Sequence, residues 1–81
     1  MENRLTTSAL LREVEAGRRL PAPAVARAIR EAAGVAQSQI ADELHVHRLT
    51  VGRWESGASK PRGNVRIAYL QLLTDLQGAT S

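Results

Sequence analysis

The stretch Gln37–Glu55, QSQIADELHVHRLTVGRWE, constrains the fold more than any other part of this chain. Ile40 and Leu44 are four apart, so they share one face of a helix. Val46 follows after a short break. Val51 and Trp54 are three apart and share a face of a second helix. Ala41, beside Ile40, supplies the small side chain that lets two helices cross closely. The spacing predicts a helix over 37–44, a tight turn, and a helix over 48–55. In such a pair the second helix is free to enter a DNA groove.

The rest of the chain sets bounds on that reading. Its 81 residues make one small domain, whose core must use most of the apolar positions. With no cysteine, neither a disulfide framework nor thiolate chemistry is available. No apolar run approaches the ~20 residues that span a bilayer. The start, MENRLTTSALLREVEAG, is too polar for a signal peptide, so a cytoplasmic location is expected. The net charge of +3 is modest, but its distribution is uneven. Nine basic residues lie between Arg18 and Arg66 (Arg18, Arg19, Arg27, Arg30, Arg48, Arg53, Lys60, Arg62, Arg66), against four acidic ones (Glu31, Asp42, Glu43, Glu55). Positive charge gathered around a helix pair points to nucleic acid better than a basic isoelectric point does.

Five helices and no strands are predicted, an all-α bundle. A short amphipathic helix covers Ser8–Ala16, with Leu10, Leu11 and Val14 on one face, Ser8 as its cap and Gly17 as its stop. Arg18–Ala22 is a linker. Pro23 suits the first turn of the next helix, Pro23–Ala33, which Gly34 ends and whose stripe is Val25, Ala26 and Ile29. After the pair at 37–55, Ser56–Gly63 is a loop broken by Gly57, Pro61 and Gly63. Asn64 is expected to cap a last helix, Val65–Gln77, with Val65, Ala68, Tyr69, Leu72, Leu73 and Leu76 on the buried side. Ile67 and Leu70 fall off that stripe, and are expected to pack against the N-terminal helix or, failing that, another subunit. The organisation is therefore an N-terminal helix and linker over 1–19, a DNA-binding domain over 20–77 and a disordered tail over 78–81.

From Ala26 to about Leu76 the chain resembles the Xre/Cro/cI family of helix-turn-helix regulators. The run IREAAGVAQSQIADEL, the pair Val51…Trp54, WESG at 54–57 and KPRG at 60–63 carry the resemblance in the family's order. It implies a compact five-helix bundle of the lambda-repressor-like type, and a phage repressor, Cro protein, antitoxin or bacterial regulator as the function. Two positions depart from the family pattern. The turn glycine is His45, in a place that needs φ > 0, which histidine tolerates modestly. Gly52 stands within the second helix, where a side chain usually faces DNA. It reads equally as an adaptation for close approach to the groove and as a neutral position.

With Val51 and Trp54 buried, Arg48, Leu49, Gly52 and Arg53 must face outward. The resemblance makes this the base-reading face. Arg48 and Arg53 suit guanine O6 and N7, and Leu49 suits a thymine methyl. The resemblance also gives Gln37 two tasks, binding a phosphate and bracing the second helix, with Ser38 and Gln39 assisting and Thr50 as a further phosphate contact. It runs the loop bearing Lys60 and Arg62 along the DNA backbone. It joins Arg30 to Glu55 in an internal salt bridge. His47, just before the second helix, suits a cap or a phosphate contact. His45 and His47 lie near Asp42 and Glu43, but two histidines astride a turn do not provide the three or four convergent ligands of a zinc site. No metal or other cofactor is expected. Trp54 and Tyr69 are expected in the core, and nothing favours single-strand stacking.

Catalysis is not expected, since the chain has no Gly-rich phosphate loop, no cysteine and no paired carboxylates in a pocket-like setting. The alternative is a protein-interaction module, such as an antitoxin or a helix-turn-helix protein that sequesters another regulator. Only 1–19 would then be left to wrap a partner. The basic outward face favours a sequence-specific regulator of double-stranded DNA, a small Cro-like or repressor-type protein acting alone or as a homodimer that pairs on its operator. Neither a membrane nor a small-molecule ligand is expected as a partner.

Overall fold

In a computed structural model the described backbone covers residues 4–80 and the described side chains residues 8–80. Five helices follow in order: α1 (Arg4–Arg19), α2 (Pro23–Ala32), α3 (Gln37–Leu44), α4 (Arg48–Ser56) and α5 (Gly63–Ala79). Among the described residues there is no strand. Met1–Asn3 and Ser81, the two ends of the expected N-terminal segment and tail, lie outside the described residues.

The core lies where α2, α3, α4 and α5 converge. Ala26, Ile40, Ala41, Val51, Trp54, Tyr69 and Leu73 are buried together, and Leu20, Ile29, Val35, Leu44, Val46, Val65, Leu72 and Leu76 pack around them. Burying an Ile, Val or Leu side chain contributes roughly 1.5–3 kcal/mol, so this cluster supplies most of the drive to fold. The rings of Trp54 and Tyr69 meet with centroids 4.7 Å apart at 44°, a tilted pair that joins α4 to α5.

The chain leaves α2, α3 and α4 by the same closure. The N–H of Val35, Val46 and Ala58 reaches back to the carbonyl of Arg30, Ala41 and Arg53, at 3.2, 3.0 and 2.9 Å. At the second of these ends the left-handed residue is His45, with φ 58° and ψ 43°, the conformation expected of it. This closure sets the tight turn between α3 and α4. At its other side, His47 Nδ1 accepts from the N–H of Leu49 at 3.1 Å and caps α4. At the start of α3, Gln39 Oε1 accepts from the Ala36 N–H at 2.8 Å, one half of a capping box.

The structure corrects the expectations at both ends of the chain. α1 does not stop at Gly17 but runs on to Arg19, and Ser8 is inside it. Its stripe does not face the core: Leu10, Leu11 and Val14 are 58%, 56% and 47% exposed, and Ala16 is the buried residue. α1 lies along α5 through its other face, where Arg12, Ala16 and Arg19 line a seam with Ile67 and Leu70. The second apolar patch of α5 thus packs within the chain. α5 begins at Gly63 rather than behind an Asn64 cap, and it continues through Gly78 and Ala79, which the sequence placed in a tail. Val25, expected inside, is 50% exposed.

Candidate nucleic-acid interface

α4 is oriented by what it buries. Val51, Trp54 and Glu55 point inward and are 0%, 6% and 8% exposed. Arg48, Leu49 and Arg53 are left on the opposite side, all exposed, with Gly52 and Thr50 partly covered. Leu49 is 57% exposed between cationic neighbours. An apolar side chain is a poor choice for a merely solvated face, and a useful one for a surface that meets a ligand.

Glu55 is the anchor of this orientation. Arg30 grips its carboxylate with two parallel bonds, Nε to Oε2 at 2.6 Å and Nη2 to Oε1 at 3.0 Å, and spends Nη1 on the Val35 carbonyl at 2.8 Å. Gln37 Nε2 donates to Glu55 Oε1 at 3.0 Å. Burial pushes the Glu55 carboxyl up, but the bonds from Arg30 and Gln37 and the Arg30 charge outweigh it and hold its pKa below the ordinary value. The bond to Glu55 raises Arg30 in turn, against the effect of burial. One carboxylate therefore ties α2, the start of α3 and the last turn of α4 together.

Gln37 thus joins the start of α3 to the last turn of α4. Its amide also lies along Gly52, where an added Cβ would sit 3.6 Å from Oε1, an ordinary contact. Gly52 is thus not forced by crowding within the protein. Ser38 and Gln39 are exposed near the start of α3, and Gln39 Oε1 is engaged in the cap described above. Lys60 and Arg62 are exposed on either side of buried Pro61, in the segment that leads into α5. Base-facing and backbone-facing candidates thus lie on α4 and on the elements just before and after it.

Three residues to which the sequence assigned no role at the site shape this region. Glu13 Oε2 accepts from the Gly63 N–H at 3.0 Å, across fifty positions of sequence. Arg66 Nε donates to the Pro61 carbonyl at 2.9 Å. Gly17 passes so close to Arg66 that a Cβ there would lie 2.8 Å from Nη1. An acid, a glycine and an arginine on two distant helices have no spacing rule that would mark them.

The Tyr69 hydroxyl is buried and has no hydrogen-bond partner among the described residues. Burial, with the nearby Glu55 charge, pushes its pKa up to about 12. Its ring fills the core beside Trp54, as expected. No described helix is long and apolar enough to cross a membrane.

A family model described as helix-turn-helix matches residues 27–73, more than half of the chain. Neither the curated proteins nor the solved structures compared with this chain include a significant match. The matched residues run from α2 into α5 and take in the whole α3–turn–α4 unit, the Arg30–Glu55 pair and the loop bearing Lys60 and Arg62. The chain belongs to the Xre/Cro/cI-type helix-turn-helix family of DNA-binding regulators, with an all-α, lambda-repressor-like fold.

Proposed function

We propose that this protein is a sequence-specific regulator of transcription that reads the major groove of double-stranded DNA with α4. The observation that carries the reading is the division of α4 into an inner face of Val51, Trp54 and Glu55 and an outer face of Arg48, Leu49, Gly52 and Arg53. Arg48 and Arg53 take guanine edges, Leu49 meets a thymine methyl, and Gly52 lets the helix approach. Gln37, Ser38, Gln39, His47 and Thr50 hold the phosphates beside the turn, and Lys60 and Arg62 those beyond α4. The protein represses in the manner of a small phage Cro protein or immunity repressor, by covering a promoter in the bacterial cytoplasm. A homodimer on inverted half-sites, ~34 Å apart, extends the sequence that is read.

Selection from a random duplex pool near ~0.15 M ionic strength tests this reading. A palindrome with guanines in each half-site is the expected product. Arg48→Ala then relaxes the preference at one guanine by about 1–3 kcal/mol while leaving the fold intact. An enriched single site retains the regulator and removes the dimer. If no sequence is enriched, sequence-specific reading is lost. A protein partner then becomes the better reading, and the exposed Leu10, Leu11 and Val14 of α1 would favour it.

A further inference from the structure

Glu13 and Gly17 are four residues apart on α1 and share a face. Both meet the beginning of α5. The Glu13 carboxylate receives the N–H of Gly63, the first residue of that helix. Arg62 just before it gives α5 no side-chain cap, and Gly63 itself has a φ of 62°, in the left-handed region that favours glycine. The carboxylate supplies the missing acceptor and places negative charge at the positive end of the helix. One turn along α1, Gly17 leaves room for the Arg66 guanidinium, which holds the Pro61 carbonyl. Residues 61–63 are thus gripped at a carbonyl from α5 and at an amide from α1. Arg62 projects to solvent from this gripped segment, and Lys60 from the residue just before it. Glu13 and Gly17 lie outside the family-matched residues 27–73.

We propose that α1 is a latch that fixes the 61–63 segment, and so sets where Arg62 and the adjoining Lys60 meet the DNA backbone, with Glu13 and Arg66 as positioning residues. The proposal rests on the reading of Lys60 and Arg62 as phosphate contacts. A segment held in place before binding spares the complex the loss of side-chain freedom that a loose one would suffer. The latch therefore acts on affinity for all duplexes alike and leaves the sequence preference to α4.

Charge and positioning predict opposite signs at Glu13, which makes the proposal testable. Glu13→Ala removes a negative charge from a DNA-binding surface, and by charge alone it would tighten binding. As loss of the latch it weakens binding to every duplex, by roughly 3- to 10-fold, the cost of ordering one long side chain. Glu13→Gln removes the same charge but keeps an oxygen for Gly63, and binds at least as well as wild type. Arg66→Ala, which removes the bond to the Pro61 carbonyl, weakens binding to every duplex in the same way. Hydrogen exchange at the Gly63 amide, measured without DNA, speeds up in Glu13→Ala. Equal binding by Glu13→Ala and Glu13→Gln, or unchanged Gly63 exchange, would overturn the latch. Wild-type protein without salt-sensitive DNA binding would sink the DNA reading instead, and Gly63 exchange would still report on the contact.

Discussion

α4 and α1 are built in opposite senses. α4 buries its apolar residues and turns its arginines outward. α1 leaves Leu10, Leu11 and Val14 in solvent and meets the rest of the molecule through Ala16, Glu13 and the bare backbone of Gly17. A buried apolar face tied down by an ion pair has few alternatives, so the outer face of α4 is fixed. α1 instead docks through a small buried residue and a polar contact, and leaves its apolar face free. The contrast separates the element whose orientation must not vary from one attached to α5 at a seam.

The largest expected effect tests the firmness of α4. Glu55→Ala leaves Arg30 buried without its carboxylate, and thermal or urea unfolding is expected to lose about 3–5 kcal/mol. A variant as stable as wild type would show that α4 needs no ionic anchor, and the contrast with α1 would collapse. The same carboxylate gives a pH dependence. Its folded pKa lies below the unfolded value, so its contribution is complete above the unfolded carboxyl pKa of ~4.3 and is lost as pH falls through the folded pKa. Unfolding curves across this range should show the acid loss in wild type and a smaller one in Glu55→Gln.

A smaller effect belongs to the turn that aims α4. His45→Gly relieves a side chain held at positive φ, and is expected to raise stability by about 0.5–1 kcal/mol after the extra freedom of glycine in the unfolded chain is counted. A loss of melting temperature would mean that the imidazole does something in the fold beyond closing α3. The smallest effect is on α1. Leu11→Ala, on its solvent face, should stay within about 0.5 kcal/mol of wild type in the isolated protein. A larger loss would mean that this face is covered in solution, and α1 would then resemble α4 more than the contacts suggest.

The same contrast explains what could be read from the sequence. α3 and α4 were legible almost to the residue, because apolar spacing, a turn residue and a cap all agree over a short span. The outward face of α4 followed by elimination once Val51 and Trp54 were assigned to the core. The Arg30–Glu55 pair and the bracing by Gln37 were legible through family resemblance alone. α1 was misread because periodicity identifies an apolar face but not the side a neighbouring helix will take. α5 offers Ile67 and Leu70 to the small and polar side of α1, and the leucines are left out. Gly17 does not end α1, and the space left by its missing side chain is where Arg66 approaches. The Glu13–Gly63 bond joins residues fifty positions apart, where no local rule reaches.

His45 also bears on how this chain can change. The codons of histidine and glycine differ at two bases, but those of histidine and asparagine differ at one, and asparagine is the other residue that commonly closes a helix in the left-handed region. A sequence with a more comfortable turn is therefore a single point mutation away. The hinge before α4 is a place where stability lies within easy mutational reach, next to the helix face on which a change of specificity would draw on it.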